Sequence, residues 1–147
     1  LSALYFDKTK QTEVLKMAKS QIQTPSEEVE QTQLFTWAAW ATGAYPELPL
    51  MFHIPNGGHR NKVTAAKLKA AGVKAGVPDI FLPVARGGYF GLFIELKRAD
   101  GGVVSAAQKE YLAALEKQGY LCAVAHGFDE AREWIEKYMQ QERTATK

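Results

Sequence analysis

The segment Phe90-Gly91-Leu92-Phe93-Ile94-Glu95-Leu96-Lys97 constrains the fold more than any other stretch of this chain. It is short and apolar, the composition of a buried strand. Side chains alternate along a strand, so Leu92, Ile94 and Leu96 share one face while Phe93, Glu95 and Lys97 share the other. A carboxylate and an ammonium two positions apart are unremarkable on a half-exposed strand. In a buried one they are costly unless they serve a purpose.

The surrounding elements give this strand neighbours. Thr24-Pro25-Ser26 starts a helix that carries glutamates in its first turn and runs to about Thr42, with Leu34, Trp37, Ala38 and Ala41 on one face. Pro46 and Pro49 mark a loop. Met51 to Ile54 is a short strand closed by the turn Pro55-Asn56-Gly57-Gly58. A basic helix is expected from Asn61 to Ala71, and Gly72 ends it. Asp79-Ile80-Phe81-Leu82 forms the next strand, and Arg86-Gly87-Gly88-Tyr89 connects it as a hairpin to the Glu95 strand. Ser105-Ala-Ala-Gln108 is a capping box opening a helix with Tyr111, Leu112 and Leu115, which ends at Gly119. Tyr120 to Ala125 is another apolar strand. A last helix opens at Asp129 with Trp134, Ile135 and Tyr138 inside. A hairpin followed by a helical crossover to a further strand implies an α/β domain, a mixed central sheet flanked by helices. Residues 1–24 are a weakly patterned extension with a helical stripe of Val14, Leu15, Ala18 and Ile22, residues 25–140 the domain, and residues 141–147 a tail.

Composition excludes several classes. The 147 residues hold eighteen basic and sixteen acidic side chains, a net charge of +2, which rules out a polycation or an acidic tail protein. One cysteine, Cys122, allows no internal disulfide and no cysteine-based zinc site. It sits in an apolar strand as an inert core residue. His53, His59 and His126 form no spaced metal motif, and there is no phosphate loop, dinucleotide fingerprint or Ser-His-Asp arrangement. No apolar run is long enough to span a bilayer, so no membrane association and a cytoplasmic location are expected. Charge is nevertheless segregated. From Glu27 to Glu47 there are four acids and no Lys or Arg; from Leu48 to Pro78 there are Arg60, Lys62, Lys67, Lys69 and Lys74 and no acid. An acid-free basic stretch suits a phosphate backbone, although a solvated helix face would look the same.

Asp79 opens the strand beside Glu95. If those strands pair, Asp79 meets Glu95 and Lys97 at one end of the sheet. Two converging carboxylates make an oxygen-rich site for a hard cation such as Mg²⁺ or Mn²⁺. A nearby ammonium fits if it orients water or stabilises charge growing on a phosphate.

Pro78-Asp79, followed sixteen residues later by Glu95-Leu96-Lys97, resembles the PD-(D/E)xK nuclease signature. The runs Gly72-Val-Lys-Ala-Gly-Val-Pro-Asp79-Ile-Phe-Leu, Gly91-Leu-Phe-Ile-Glu95-Leu-Lys97 and Ser105-Ala-Ala-Gln108 resemble its VRR-NUC branch, the virus-type replication-repair nucleases. Ile54-Pro-Asn-Gly-Gly-His59-Arg60 is similar to the version in small stand-alone phage and prophage proteins. The resemblance spans roughly Ser26 to Ile135. It implies a restriction-endonuclease-like α-β-β-β-α-β core, with Asp79 and Glu95 as metal-binding carboxylates and Lys97 as the catalytic lysine. An acid on the first helix completes the metal set. Glu30 is favoured, with Glu27, one turn earlier on nearly the same face, as the fallback; acids at a helix N-terminus are favourable even without function. Gln108 matches a glutamine near the family's active site, a role that competes with its capping box. Asn56, Gly57, Gly58, His59 and Arg60 would approach DNA, and Lys62, Lys67, Lys69 and Lys74 would track it.

The resemblance implies a Mg²⁺- or Mn²⁺-dependent DNA endonuclease with no nucleotide cofactor, at work in a bacterial or phage-infected cell. No separate base-reading element is visible, so shape recognition of branched DNA is expected, four-way (Holliday) junctions above all, by a homodimer presenting two active sites. A flap- or nick-directed repair nuclease, an RNA endonuclease and a non-catalytic DNA-binding module of the same fold remain open.

Overall fold

The computed structural model describes residue 13 and residues 24–56 and 62–145. The expected helical stripe at Val14–Ile22 and the loop residues Gly57, Gly58, His59 and Arg60 lie outside the described residues. Among those described, the order is α1 (Glu27–Trp40), β1 (Phe52–His53), α2 (Lys62–Ala70), β2 (Ile80–Leu82), β3 (Leu92–Lys97), α3 (Ala106–Lys117), β4 (Leu121–His126) and α4 (Gly127–Met139), with 3₁₀ turns at Ala41–Gly43 and Leu48–Leu50.

The strands form one mixed sheet in the order β1-β2-β3-β4. β1 and β2 pair antiparallel, as do β2 and β3, whereas β4 lies parallel to β3 after the α3 crossover. An antiparallel bridge between Arg86 and Tyr89 closes the β2–β3 connection. All six residues of β3 are buried, as a strand covered on both faces requires.

The alternation within β3 divides the sheet into two faces. Leu92, Ile94 and Leu96 join Ile80, Leu82, Ala123 and Ala125 in a core closed by Leu34 and Ala38 of α1 and by Ala131, Ile135 and Tyr138 of α4. The Tyr138 hydroxyl donates to the Val84 carbonyl at 2.6 Å, satisfying the one polar atom of a fully buried ring. At the same end of the domain the Glu47 carboxylate receives both Arg86 and Arg143, at 2.7 and 3.0 Å. Phe93, Glu95 and Lys97 project from the opposite face, where α3 packs.

Two expectations shift. α4 begins at Gly127 rather than Asp129, because a carboxylate from α1 already satisfies the backbone N–H of Phe128 (Glu30 Oε2, 2.7 Å). Trp134 is not inside: it is 38% exposed, since the inward stripe of α4 runs Ala131, Ile135, Tyr138 and leaves the neighbouring position at the rim.

Candidate active site

β2 and β3 bring the predicted acids together by register. Ile80 lies opposite Ile94, so Asp79, one residue before β2, stands across from the Glu95–Leu96 segment. Its Oδ2 accepts the Leu96 backbone N–H at 2.8 Å, which fixes the carboxylate against β3. The Asp79 backbone is pinned as well: its carbonyl accepts the Ile54 N–H at 2.7 Å and His53 Nδ1 at 2.8 Å. Pro78, just before it, is fully buried.

Glu95 and Lys97 sit on one face, as alternation demands, and Lys97 Nζ donates to Glu95 Oε1 at 2.7 Å. Both side chains are buried, 1% exposed for Glu95 and 10% for Lys97. Gln108 Nε2 donates a second hydrogen bond to the same Oε1. Gln108 also completes the capping box of α3: its Oε1 accepts the Ser105 N–H at 2.8 Å, and its own N–H reaches Ser105 Oγ at 3.2 Å. The capping role and the site role thus coexist, the amide oxygen serving the helix and the amide nitrogen serving Glu95.

The two oxygens of Glu95 are treated unequally. Oε1 accepts two hydrogen bonds, whereas Oε2 is buried with no hydrogen-bond partner. Burial pushes the Glu95 carboxyl up to about 7; the Lys97 hydrogen bond opposes this, while the charges of Asp79 and Glu27 reinforce it. An unsatisfied carboxylate oxygen beside a second carboxylate is the donor chemistry of a hard divalent cation. No group of three or more His, Cys, Asp and Glu side chains among the described residues forms a complete metal cage.

The first-helix acids separate in role. Glu30 is 5% exposed and its carboxylate accepts the Phe128 N–H at the N-terminus of α4. The favoured acid Glu30 is thus engaged at α4, and among the described residues it does not form a three-acid group with Asp79 and Glu95. The physical reason is the orphan amide of Phe128, which a carboxylate at a helix start satisfies with a favourable dipole interaction. Glu27, exposed and one turn earlier, is the α1 acid whose charge acts on Glu95. Asn56 also turns inward, donating from Nδ2 to the Val77 carbonyl at 2.6 Å and pinching the neck of the β1–β2 excursion. Lys62, Lys67, Lys69 and Lys74 are all exposed, and no residue of α2 is buried.

Three positioning features went unread in the sequence. A Cβ on Gly102 would lie 3.1 Å from Cβ and Cδ of Lys97, so this glycine lets the loop lie along the lysine stem. A Cβ on Gly76, at φ +86°, would lie 2.5 Å from the Ala107 carbonyl oxygen and 3.1 Å from the Gln108 nitrogen, so bare backbone alone lets that loop abut the start of α3. His53 is the third, through the Asp79 carbonyl. The signal for Gly102 was only its place in a Gly-rich loop, and for Gly76 only its place in the run leading to Asp79. Cys122 is half-buried and its thiol is pushed up to about 12 by burial, consistent with an inert side chain.

No match was found among curated proteins. A solved VRR_NUC domain protein is similar, at 34% identity over 82% of this chain and 93% of its own, with a TM-score of 0.72. The family model for the VRR-NUC domain matches residues 25–129, a span that contains Asp79, Glu95, Lys97 and Gln108. The chain belongs to the VRR-NUC family of nucleases.

Proposed function

We propose that this protein is a metal-dependent DNA endonuclease that cuts branched DNA, with four-way junctions as its preferred substrate and a homodimer as its working form. The observation that carries the reading is the asymmetry of Glu95: one oxygen holds Lys97 and Gln108, and the other is buried and bare beside Asp79. Asp79 and Glu95 would hold Mg²⁺ or Mn²⁺, with Glu27 rather than Glu30 as the α1 acid at hand. The cation would supply Lewis-acid stabilisation of the phosphate and a more acidic water.

The remaining chemistry falls to the side chains. Lys97 spends one N–H on Glu95 and offers the others to the attacking water or a phosphate oxygen. Gln108 fixes the Glu95 carboxylate so that its bare oxygen keeps one orientation. Water adds to phosphorus, the bond to the 3′ oxygen breaks, and that oxygen takes up a proton, leaving a 5′-phosphate and a 3′-hydroxyl. The exposed lysines of the acid-free stretch Leu48–Pro78 would track the backbone. Among the described residues no helix is long and apolar enough to cross a membrane.

The test is cleavage of a labelled four-way junction and its matching linear duplex with Mg²⁺, Mn²⁺ or EDTA, by wild type and Lys97→Ala. The expected result is metal-dependent cutting of the junction, reduced about a hundredfold or more in the variant, with DNA affinity retained. Equal cutting of both substrates would remove the junction assignment and leave the nuclease. Metal-independent binding without any cutting would favour a non-catalytic module.

A further inference from the structure

The sheet face that bears Glu95 also carries a row of aromatic rings that the hydrolytic chemistry does not use. Phe52, Phe81 and Phe93 are cross-strand partners on β1, β2 and β3. Phe81 stacks on Phe93 at 4.1 Å and 11° between planes, and Phe52 meets Phe81 edge-on at 5.7 Å. Tyr120 packs edge-on against Phe81 and Phe93, and Phe90 against Tyr120. Phe93 shares its face with Glu95 two residues further on, so this row lies about 7 Å from the catalytic row.

The row is not sealed at its ends. Phe52 is 47% exposed and Phe90 61%. Through the half-buried Phe81 and Tyr120 these two rings belong to one run of touching aromatics, and a contiguous apolar patch marks an interaction site where a lone exposed ring does not. The charge around the β1 end fits one kind of partner. Phe52 lies inside the acid-free stretch Leu48–Pro78, and the excursion carrying Lys62, Lys67, Lys69 and Lys74 leaves from its strand. None of the α2 residues is buried, so the helix keeps its lysines in solvent rather than covering the rings. Rings in a row, flanked by cations and one step from a phosphate-cutting site, match the requirements of an unpaired strand: stacking for bases and positive charge for phosphates.

We infer that the accessible rings of this row, Phe52 and Phe90 with the half-buried Phe81 and Tyr120 between them, form a stacking platform for unpaired bases near the scissile phosphate, with the buried Phe93 as the support beneath them. The inference rests on the nuclease reading for its context. It adds to that reading that bases unpaired at the branch point, including bases freed when a bound junction opens, are held on this face.

The test is binding in EDTA, where nothing is cut. The probes are a duplex with a single-stranded tail carrying 2-aminopurine, and the same duplex blunt-ended. Wild type should quench or shift the aminopurine signal on binding. Phe52→Ala and Phe90→Ala, both at exposed positions, should bind the tailed probe about tenfold more weakly and the blunt probe unchanged, and Phe52→Tyr should restore the tail preference. No aminopurine response in wild type, or equal affinities for both probes across all variants, would overturn the platform. Sedimentation of the DNA-free protein tests the rival occupant: a dimer in wild type that becomes a monomer in Phe52→Ala would assign the row to a second copy and overturn the inference. Cleavage with Mn²⁺ is run beside these. A wild type that cuts nothing would fail the nuclease reading while the aminopurine signal still decided the platform.

Discussion

The buried Glu95 carboxyl should leave a measurable mark on stability. Unfolded, the group ionises near 4.5; folded, burial raises it to about 7. Between those values the folded protein holds a proton that the unfolded chain releases, so raising the pH draws the equilibrium toward unfolding. The stabilising contribution of the protonated group is complete below pH 4.5 and is lost as pH rises through 7. At about 1.4 kcal/mol per pH unit across that window, the loss amounts to about 3 kcal/mol. Glu95→Gln removes the titration while its side-chain oxygen can still accept Lys97 and Gln108. Urea unfolding followed by tryptophan fluorescence, in EDTA at several pH values from 4.5 to 8, gives the difference between the two proteins. Other titrating groups, such as Glu47 and Asp100, whose carboxyls are lowered by Arg86 and Arg98, contribute alike to both curves and cancel. The difference should therefore fall across the window and be flat on either side. Parallel curves from pH 4.5 to 8 would refute the claim that Glu95 is a strained, buried acid. Adding Mn²⁺ to wild type at pH 7.5 should recover stability that Glu95→Gln does not recover.

Two further pairs of variants separate contact from conformation and structure from site. Gly76→Ala should lower stability more than Gly72→Ala: both have positive φ, costing about 1–2 kcal/mol, but only at Gly76 does the new Cβ meet backbone, the Ala107 carbonyl; thermal melts of the two proteins decide it. Glu30→Ala should cost about 1–2 kcal/mol by stripping the Phe128 N–H of its partner while leaving Mn²⁺ affinity unchanged. Glu27→Ala should do the reverse, and a Mn²⁺ titration beside a melt of each variant checks both.

What the sequence revealed follows the range of the interactions. Alternation along β3 is a local rule, and it put Glu95 and Lys97 on one face. The capping box of α3 spans three residues and was legible for the same reason. The role of Glu30 was not, because its partner Phe128 lies 98 positions away and becomes a neighbour only once α1 and α4 pack. Asn56 reads as a turn residue near DNA, and its hydrogen bond to Val77, 21 positions on, was not legible beside that reading. Gly102 and Gly76 look like ordinary loop glycines until the backbone brings them against Lys97 and α3. Trp134 was misplaced because helical periodicity gives a stripe but not the angle at which the helix meets the sheet.

The same geometry explains why the acidic pair is better understood as a site than as a fold element. A buried ion pair contributes little net stability unless its remaining lone pairs and protons are satisfied. Glu95 fails that condition by one oxygen, and it fails in the most buried strand of the sheet. A structural pair would have been completed by a backbone N–H or relieved by exposure. Here Leu96, next in the strand, gives its N–H to Asp79 instead, and Gln108 adds its amide to the oxygen already occupied by Lys97. Each neighbour thus fixes the carboxylate without giving Oε2 a hydrogen bond. A buried acid with a raised proton affinity and one oxygen left without a hydrogen bond is unfavourable for the isolated fold. Under the function proposed above it would become favourable when a cation and a phosphate arrive together at Asp79 and Glu95.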